Sequence, residues 1–380
     1  MVDYKQTDVG LIPVDWEVKK LEMVANFSNG KAHELFINEN GGYIVVNSKF
    51  ISTQGKVVKY SYKNFHPLKT GDITMVMSDI PNGKALAKCY LIPKENKYAL
   101  NQRICSIRVT NCNNIFLSYL LNRNKYYLSF DSGTGQTNLK KQDVVSCPIP
   151  LPPLPEQESI AEVLSDTDAL IIALEKRIAK KRLIKQGAMQ KLLTPQDDWE
   201  VKKLGEVCDV LDNLRVPLND TQRKQMKGEI PYCGANGVVD YVNDFVVDDN
   251  IILMAEDGGY FDEYKTRPIA YKMSGKCWVN NHAHILKSKK WICQDFIYYS
   301  IVHKNILDFI IGGTRAKLNK SDLISIEINI PKLISEQTRI ATILSDMDSE
   351  IEGLEKKLTK AKELKQGLMQ QLLTGKIRLV

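Results

Sequence analysis

The heptapeptide DWEVKKL stands at Asp15–Leu21 and again at Asp198–Leu204. An internal repeat constrains architecture more than any local propensity does, because both copies must be able to reach the same fold. Downstream of each copy lies a second shared block. PPLPEQESIAEVLSDTDALIIALEKRIAKKRLIKQGAMQKLLT (Pro152–Thr194) matches PKLISEQTRIATILSDMDSEIEGLEKKLTKAKELKQGLMQQLLT (Pro331–Thr374), and EQ, IA, LSD, LEK, KQG, MQ and LLT recur in it at an offset of 180. A period this long is not that of a solenoid. The chain is a tandem duplication, each copy supplying a variable domain and then a shared helix.

Beneath their differences the variable segments share a skeleton. GDITMVMSD (Gly71–Asp79) aligns with DNIILMAED (Asp249–Asp257), ALNQRICSIRV (Ala99–Val109) with WVNNHAHILK (Trp278–Lys287), and SGTGQTNLKKQDV (Ser132–Val144) with IGGTRAKLNKSDL (Ile311–Leu323). Short β-rich runs punctuated by Gly, Asn, Asp and Pro predict compact α+β domains rich in antiparallel strands. The expected division is 1–150 and 196–330 for the variable domains, with 151–195 and 331–380 for the helical segments.

Apolar residues in the shared blocks follow 4-3-4-3 spacing: Ile160, Leu164, Thr167, Ile171, Leu174 and Ile178, then Ile340, Leu344, Met347, Ile351, Leu354, Leu358 and Ala361. Such a heptad seam places one stripe against a partner helix. The first helix opens with Glu156, Glu158, Glu162, Asp166, Asp168 and Glu175 and closes with Lys176, Arg177, Lys180, Lys181, Arg182, Lys185 and Lys191; the second repeats the polarity, with Arg339 and Glu363 out of place. Acid early and base late suits each helix's own dipole. It also favours antiparallel pairing, where unlike ends face each other. The predicted fold class is α+β: two β-rich domains joined by two long antiparallel coiled-coil helices in an internal pseudo-two-fold repeat, a ring-like pseudo-dimer with domains at opposite ends of a rod. Ile160 should then lie near Leu368–Leu372.

Composition excludes some classes. No run of about eighteen apolar residues exists to span a bilayer, and the polar opening MVDYKQTDVG resembles neither a signal nor a transit peptide; a cytoplasmic protein is expected. The eight cysteines show no CxxC spacing and read as reduced thiols. A net charge of +7 hints only mildly at an anionic partner. Its distribution says more: residues 1–150 hold 19 basic and 12 acidic side chains, and 265–320 hold eleven basic ones against Asp295 and Asp308.

YKQTDVGLIPVDWEVKKL, IPYCGANG (Ile230–Gly237), NQRIC (Asn101–Cys105), IPLPPLPEQ (Ile149–Gln157) and LLTGKIRL (Leu372–Leu379) together resemble the specificity subunit of type I restriction–modification systems. The resemblance covers the whole chain, including the duplicated order of variable and conserved regions. It implies two target recognition domains, each reading one half of a split double-stranded DNA sequence. It implies an antiparallel spacer that fixes the gap and docks two modification (methyltransferase) subunits, with restriction subunits joining through that core. The specificity subunit itself carries no catalysis; S-adenosylmethionine, ATP and magnesium are expected on partner subunits, and no cofactor, metal or membrane on this chain.

Two Gly–Thr turns are candidates for DNA contact: Thr134 and Gln136 with Lys140 and Lys141 in the first copy, Thr314 and Arg315 with Lys317 in the second. Backbone amides, hydroxyls and lysines suit phosphate; a structural turn into the helix is the competing explanation. Base reading belongs where the halves differ, at Asn82, Lys84, Asn101, Gln102 and Arg103 and at Tyr260, Lys265, Arg267, Asn280, Asn281 and His282, since Arg pairs with guanine and Asn or Gln with adenine. Asn101 and Asn280 occupy equivalent places, which also fits a structural role. His282 and His284, with Cys277 and Cys293 nearby, lack the paired spacing of a zinc site. A nuclease-like Asp257 followed by Glu263-Tyr264-Lys265 carries little information, because ExK also occurs at Glu17, Glu95, Glu200, Glu355 and Glu363. Walker-type and NPPY-type motifs are absent. Leu170, Ile172 and Leu183 fall off the helical seam and leave apolar surface for another protein. Two other classes compete: a catalytic nuclease or methyltransferase, which the chain alone would reveal by cutting or methylating DNA, and a coiled-coil scaffold that binds protein only, which would show no salt-dependent DNA binding.

Overall fold

The computed structural model describes residues 3–81, 83–312 and 316–379. The chain divides into two compact units, Met1–Leu174 with Lys357–Val380, and Glu175–Lys356. Both division points fall inside a helix, so each unit holds one variable domain, the start of the helix that follows it and the end of the other helix.

In unit 1 an antiparallel sheet runs Ala25–Asn29, Ile104–Val109, Ile73–Val76, Cys89–Leu91. Unit 2 repeats it as Cys208–Val210, Ala283–Ser288, Ile251–Ala255, Ala270–Met273. Among the inner strands, Ile73–Val76 and Ile251–Ala255 are buried at every position and apolar apart from Thr74. A second sheet in each unit mixes directions, with Tyr98–Leu100 parallel to Tyr43–Val46, and Tyr232-Cys233 parallel to Trp278-Val279. Antiparallel pairing therefore prevails among the described strands, with one parallel strand pair in each unit and an isolated parallel bridge, Lys31 to Asn101, in unit 1.

Register corrects one alignment. Ile104 pairs with Val76 and Ala283 with Ala255, so the inner strands correspond at an offset of 179. The sequence alignment of Gly71–Asp79 with Asp249–Asp257 is one residue short. A single-residue slip exchanges the two faces of a strand; because these strands are buried on both faces, their hydrophobicity gave no sign of it.

The repeated heptapeptide forms the neck of each unit. Glu17–Lys20 pairs with Pro148–Leu151, and Trp199–Lys203 with Glu327–Pro331, joining the entry of each variable domain to the strand that leads into the helix. Trp16 is fully buried, and its Nε1 donates to Glu156 Oε2 at 3.1 Å. Arg378 also grips Glu156, at 2.7 Å, together with Asp15 at 2.7 Å, which lowers the Asp15 pKa chiefly through that hydrogen bond. Among the described residues unit 2 shows no such clasp. Trp199 stacks edge-on to Phe296 and its Nε1 is buried without a partner among the described residues.

The long helices, Leu154–Leu192 and Ile334–Leu372, pack antiparallel in each unit. In unit 1 Ile160 and Leu164 share a core with Leu372, against which Leu368, Met369 and Leu373 also pack. In unit 2 Ile340 and Leu344 meet Ala188, Met189, Leu192 and Leu193. Of the seam positions, Ile160, Leu164, Ile178, Ile340, Leu344, Ile351 and Leu354 are buried, whereas Ile171, Leu174 and Leu358 are half-buried. Lys181–Glu350 at 2.7 Å and Arg182–Glu355 at 2.6 Å set late bases against early acids. Leu170, Ile172 and Leu183 are exposed. All eight cysteines are free thiols, and burial pushes Cys105 up to about 12. No described helix is long and apolar enough to cross a membrane.

Candidate nucleic-acid interface

One junction gathers the candidate segments in each unit. Met77 donates its amide to the Arg103 carbonyl at 3.0 Å and accepts from the Leu139 amide at 2.8 Å. Glu256 does the same with His282 at 2.8 Å and Leu318 at 2.7 Å, and all three positions lie 179 residues from their counterparts. The exit of the inner strand, the Asn turn and the residue Leu139 or Leu318 that follows the Gly–Thr segment thus meet in each domain. Backbone hydrogen bonds make the junction, so side chains there are free to differ.

In unit 1 Asn101 is buried: its Oδ1 accepts from the His33 amide at 3.1 Å and its Nδ2 donates to Glu34 Oε1 at 2.9 Å. Burial opposes charge on Glu34, but the bonds from Asn101 and Gln102 hold its pKa below the ordinary value. With both ends of its amide engaged, Asn101 braces the turn, and the exposed groups are Gln102 and Arg103. Arg103 sits at φ +65°, a left-handed backbone that few side chains other than Gly, Asn and Asp adopt. Lys84 is exposed on a loop that Asp79 closes by accepting from the amides of Ala85 at 2.6 Å and Leu86 at 3.0 Å. Asn82 lies outside the described residues. Thr137 and Asn138 pair with Asp79 and Ser78, bringing the Gly–Thr turn against this loop. Thr134 is exposed; Gln136 is exposed but donates to Ser78 Oγ at 3.0 Å. Lys140 and Lys141 are exposed at the start of the Lys141–Val145 helix.

Unit 2 presents a more tightly paired surface. His282 Nδ1 lies 2.7 Å from Asp257, and Lys317 Nζ 3.1 Å from Glu256. Arg267 stacks on Tyr260, 3.1 Å from the ring centroid, and pairs with Glu263 at 3.4 Å. Lys265 and Asn281 are exposed, while Asn280 is buried, its Oδ1 accepting from the His282 amide at 2.8 Å. Thr314 and Arg315 lie outside the described residues.

Arg215 is the residue that sequence reasoning missed. It pairs with Asp212 at 3.2 Å and with Glu256, and donates to the carbonyls of Ala283 at 3.3 Å and Asn281 at 3.5 Å. It thereby ties the Asn turn to the strand exit. Apart from Asp212, three residues before it, no spacing marks it, because its other partners lie 41 to 68 residues away. Asp212, Glu256 and His284 come close enough to hold a metal ion. Two cations already sit on those carboxylates, and both ring nitrogens of His284 face oxygens, Asp212 at 2.7 Å and the Leu318 carbonyl at 2.9 Å. The cluster is a closed ion-pair network.

A family model described as the type I restriction modification DNA specificity domain matches residues 13–183 and again 196–364. The putative type I restriction enzyme MjaX specificity subunit of Methanocaldococcus jannaschii is 27% identical over 427 aligned positions, covering 99% of this chain and 97% of that one. A putative type I restriction enzyme specificity subunit of Haemophilus influenzae is 38% identical over 157 residues, 41% of this chain and 39% of its own length. The crystal structure of the S subunit of a type I restriction–modification system from M. genitalium superposes with a TM-score of 0.68 at 18% identity, covering 97% of each chain, a likeness of fold.

Proposed function

The chain belongs to the type I restriction modification DNA specificity family, and from that premise we propose that its two units are readers, each of one half of a split duplex DNA sequence. The observation that carries this reading is the junction repeated at Met77 and Glu256, where one backbone frame displays two different sets of polar side chains. A frame conserved for stability alone would have no reason to carry Gln102 and Arg103 on one copy and Asn281 and His282 on the other.

Roles follow from chemistry. Lys84, Lys140 and Lys141 are exposed cations suited to phosphate, and Thr134 adds a hydroxyl. Gln102 and Arg103 are suited to base edges in unit 1. In unit 2 Lys265 and Asn281 are the exposed candidates, with Tyr260, Arg267, His282 and Lys317 reaching DNA only by exchanging the partners they now hold. The helices take the part of spacer and dock, and exposed Leu170, Ile172 and Leu183 offer apolar footing for methyltransferase subunits. Methylation and cleavage then belong to those subunits and to the restriction subunits that join them, with S-adenosylmethionine, ATP and magnesium held there, in the cytoplasm.

Replacement of residues 205–330 by the matching segment of another family member tests the reading. After co-expression with the methyltransferase subunit, mapping of methylated adenines should show one half-site changed and the other intact. A change in both, or in neither, refutes independent readers.

A further inference from the structure

Unit 1 carries a feature that unit 2 does not share. Between Asn29 and Tyr43 the chain makes a single 3-10 turn, Glu34–Phe36, whose tip residue Leu35 is 91% exposed. Lone exposed leucines are ordinary. Here, however, several buried polar groups hold the leucine in place. Gly30 passes so close to the Asn101 turn that a Cβ would lie 1.9 Å from the Asn101 carbonyl oxygen. His33, fully buried, accepts from the Phe65 amide at 3.2 Å through Nε2 and faces the Lys31 carbonyl at 2.7 Å through Nδ1. Asn101 holds the His33 amide and the Glu34 carboxylate. The tip is therefore bolted to the turn that displays Gln102 and Arg103.

Its surroundings are aromatic and basic. Phe36 packs edge-on to Tyr62 and Phe65, and Lys63 lies 4.7 Å over the Phe36 ring. Lys31 and Lys63 are exposed beside it, against Glu34, whose carboxylate is engaged, and Glu39. In unit 2 the corresponding turn, Asp212–Leu214, folds inward: Leu214 packs on the domain core and Arg215 enters the ion-pair network.

A rigid leucine projecting from a basic, aromatic-backed surface beside a base-reading turn has the chemistry of a side chain that enters a base stack. Apolar wedges flanked by cations unstack a step of duplex DNA and bend it, and a rigid mount keeps the ordering cost low. We propose that Leu35 inserts between adjacent base pairs of the duplex at or beside the half-site read by unit 1, adding a preference for easily unstacked steps. The inference rests on the recognition reading above. Basic side chains around the tip favour DNA over an apolar protein partner.

The test uses the chain in complex with its methyltransferase subunits and duplexes carrying the mapped target, with 2-aminopurine placed in turn through the unit 1 half-site and its flanks. One position should brighten on binding. Leu35→Ala should abolish that rise and weaken specific binding on the order of tenfold, with the salt dependence unchanged because no phosphate contact is lost. Leu35→Met should retain both. A rise that persists in Leu35→Ala, or no responding position in the wild type, overturns the wedge while leaving recognition standing. Loss of methyltransferase-subunit association in Leu35→Ala with the fluorescence response intact would assign the tip to a protein partner and also overturns it. A wild-type complex that does not distinguish target from scrambled duplex overturns the recognition reading, and the wedge with it.

Discussion

Lys365 Nζ lies 2.6 Å from Asp168 Oδ1, although 197 residues of chain separate them. Tyr119 Oη donates to the same carboxylate at 2.7 Å. Unit 2 repeats the arrangement with Lys185, Asp348 and Tyr299, where the tyrosine donates at 2.8 Å. Each aspartate is thus a three-way tie between its variable domain, its own helix and the opposing helix. Half-exposed ion pairs contribute under about 1 kcal/mol, so the tie selects register while the apolar seam supplies most of the stability.

Asp168→Ala and Asp348→Ala should each cost about 1–2 kcal/mol, since each leaves a tyrosine hydroxyl and a lysine unpartnered. Denaturant unfolding of the full chain measures both. Equal costs are expected from equivalent ties; a large cost at one and none at the other would show that the second tie is ornamental.

The two neck tryptophans should respond differently to loss of the indole N–H. Trp16→Phe strips a hydrogen bond from Glu156, which is buried, and should cost about 1–3 kcal/mol. Trp199→Phe removes a donor that has no partner among the described residues and should cost less. Melting temperatures of the two variants decide the order.

Acid should loosen unit 2 through Arg215. Burial opposes charge on Asp212, but the His284 hydrogen bond and Arg215 outweigh it, and Arg215 and Lys317 likewise outweigh burial at Glu256. Both carboxyls are held below their ordinary values of 3.8 and 4.5, so their stabilisation is complete above that range and is lost as pH falls through the lower folded values. Arg215→Ala should cost about 3 kcal/mol at neutral pH, and the gap from wild type should narrow below pH ~4. A pH-independent gap in thermal melts would contradict the network.

Phosphate and base contacts should separate by salt. Lys140→Ala and Lys141→Ala should weaken binding to target and non-target duplexes alike and lower the salt slope by about one each. Arg103→Ala should instead relax the choice of base at one position of one half-site, at about 1–3 kcal/mol. Equilibrium binding across a salt series, paired with methylation mapping, distinguishes the two classes.

The frame was legible because duplication writes it twice. Offset matches from Glu156 to Thr194 exposed the helices, and charge polarity gave their antiparallel sense, which the core that Ile160 shares with Leu372 bears out. What escaped detection depends on long-range contact. The buried strands hid a one-residue register shift, because hydrophobicity on both faces erases the alternation that fixes register. The equivalence of Asn101 and Asn280 hinted at a structural role, and Asn101 does brace its turn, but nothing in the sequence showed that its neighbour Gln102 would be exposed. Arg215 and Leu35 carry no motif; the first is defined by partners elsewhere in the chain, the second by how firmly its neighbours hold it out.

The closure of unit 1 by Leu372 and Arg378 has a consequence for biosynthesis. Unit 2 is one continuous stretch, Glu175–Lys356, and holds its whole core as soon as that stretch is made. Unit 1 is made first but lacks Leu368, Leu372 and the Glu156 clasp until residues 357–379 follow, after all of unit 2. The domain translated first is the one completed last, and for the time it takes to translate some two hundred further residues its Ile160–Leu164 face stays uncovered, within reach of chaperones or of another nascent chain.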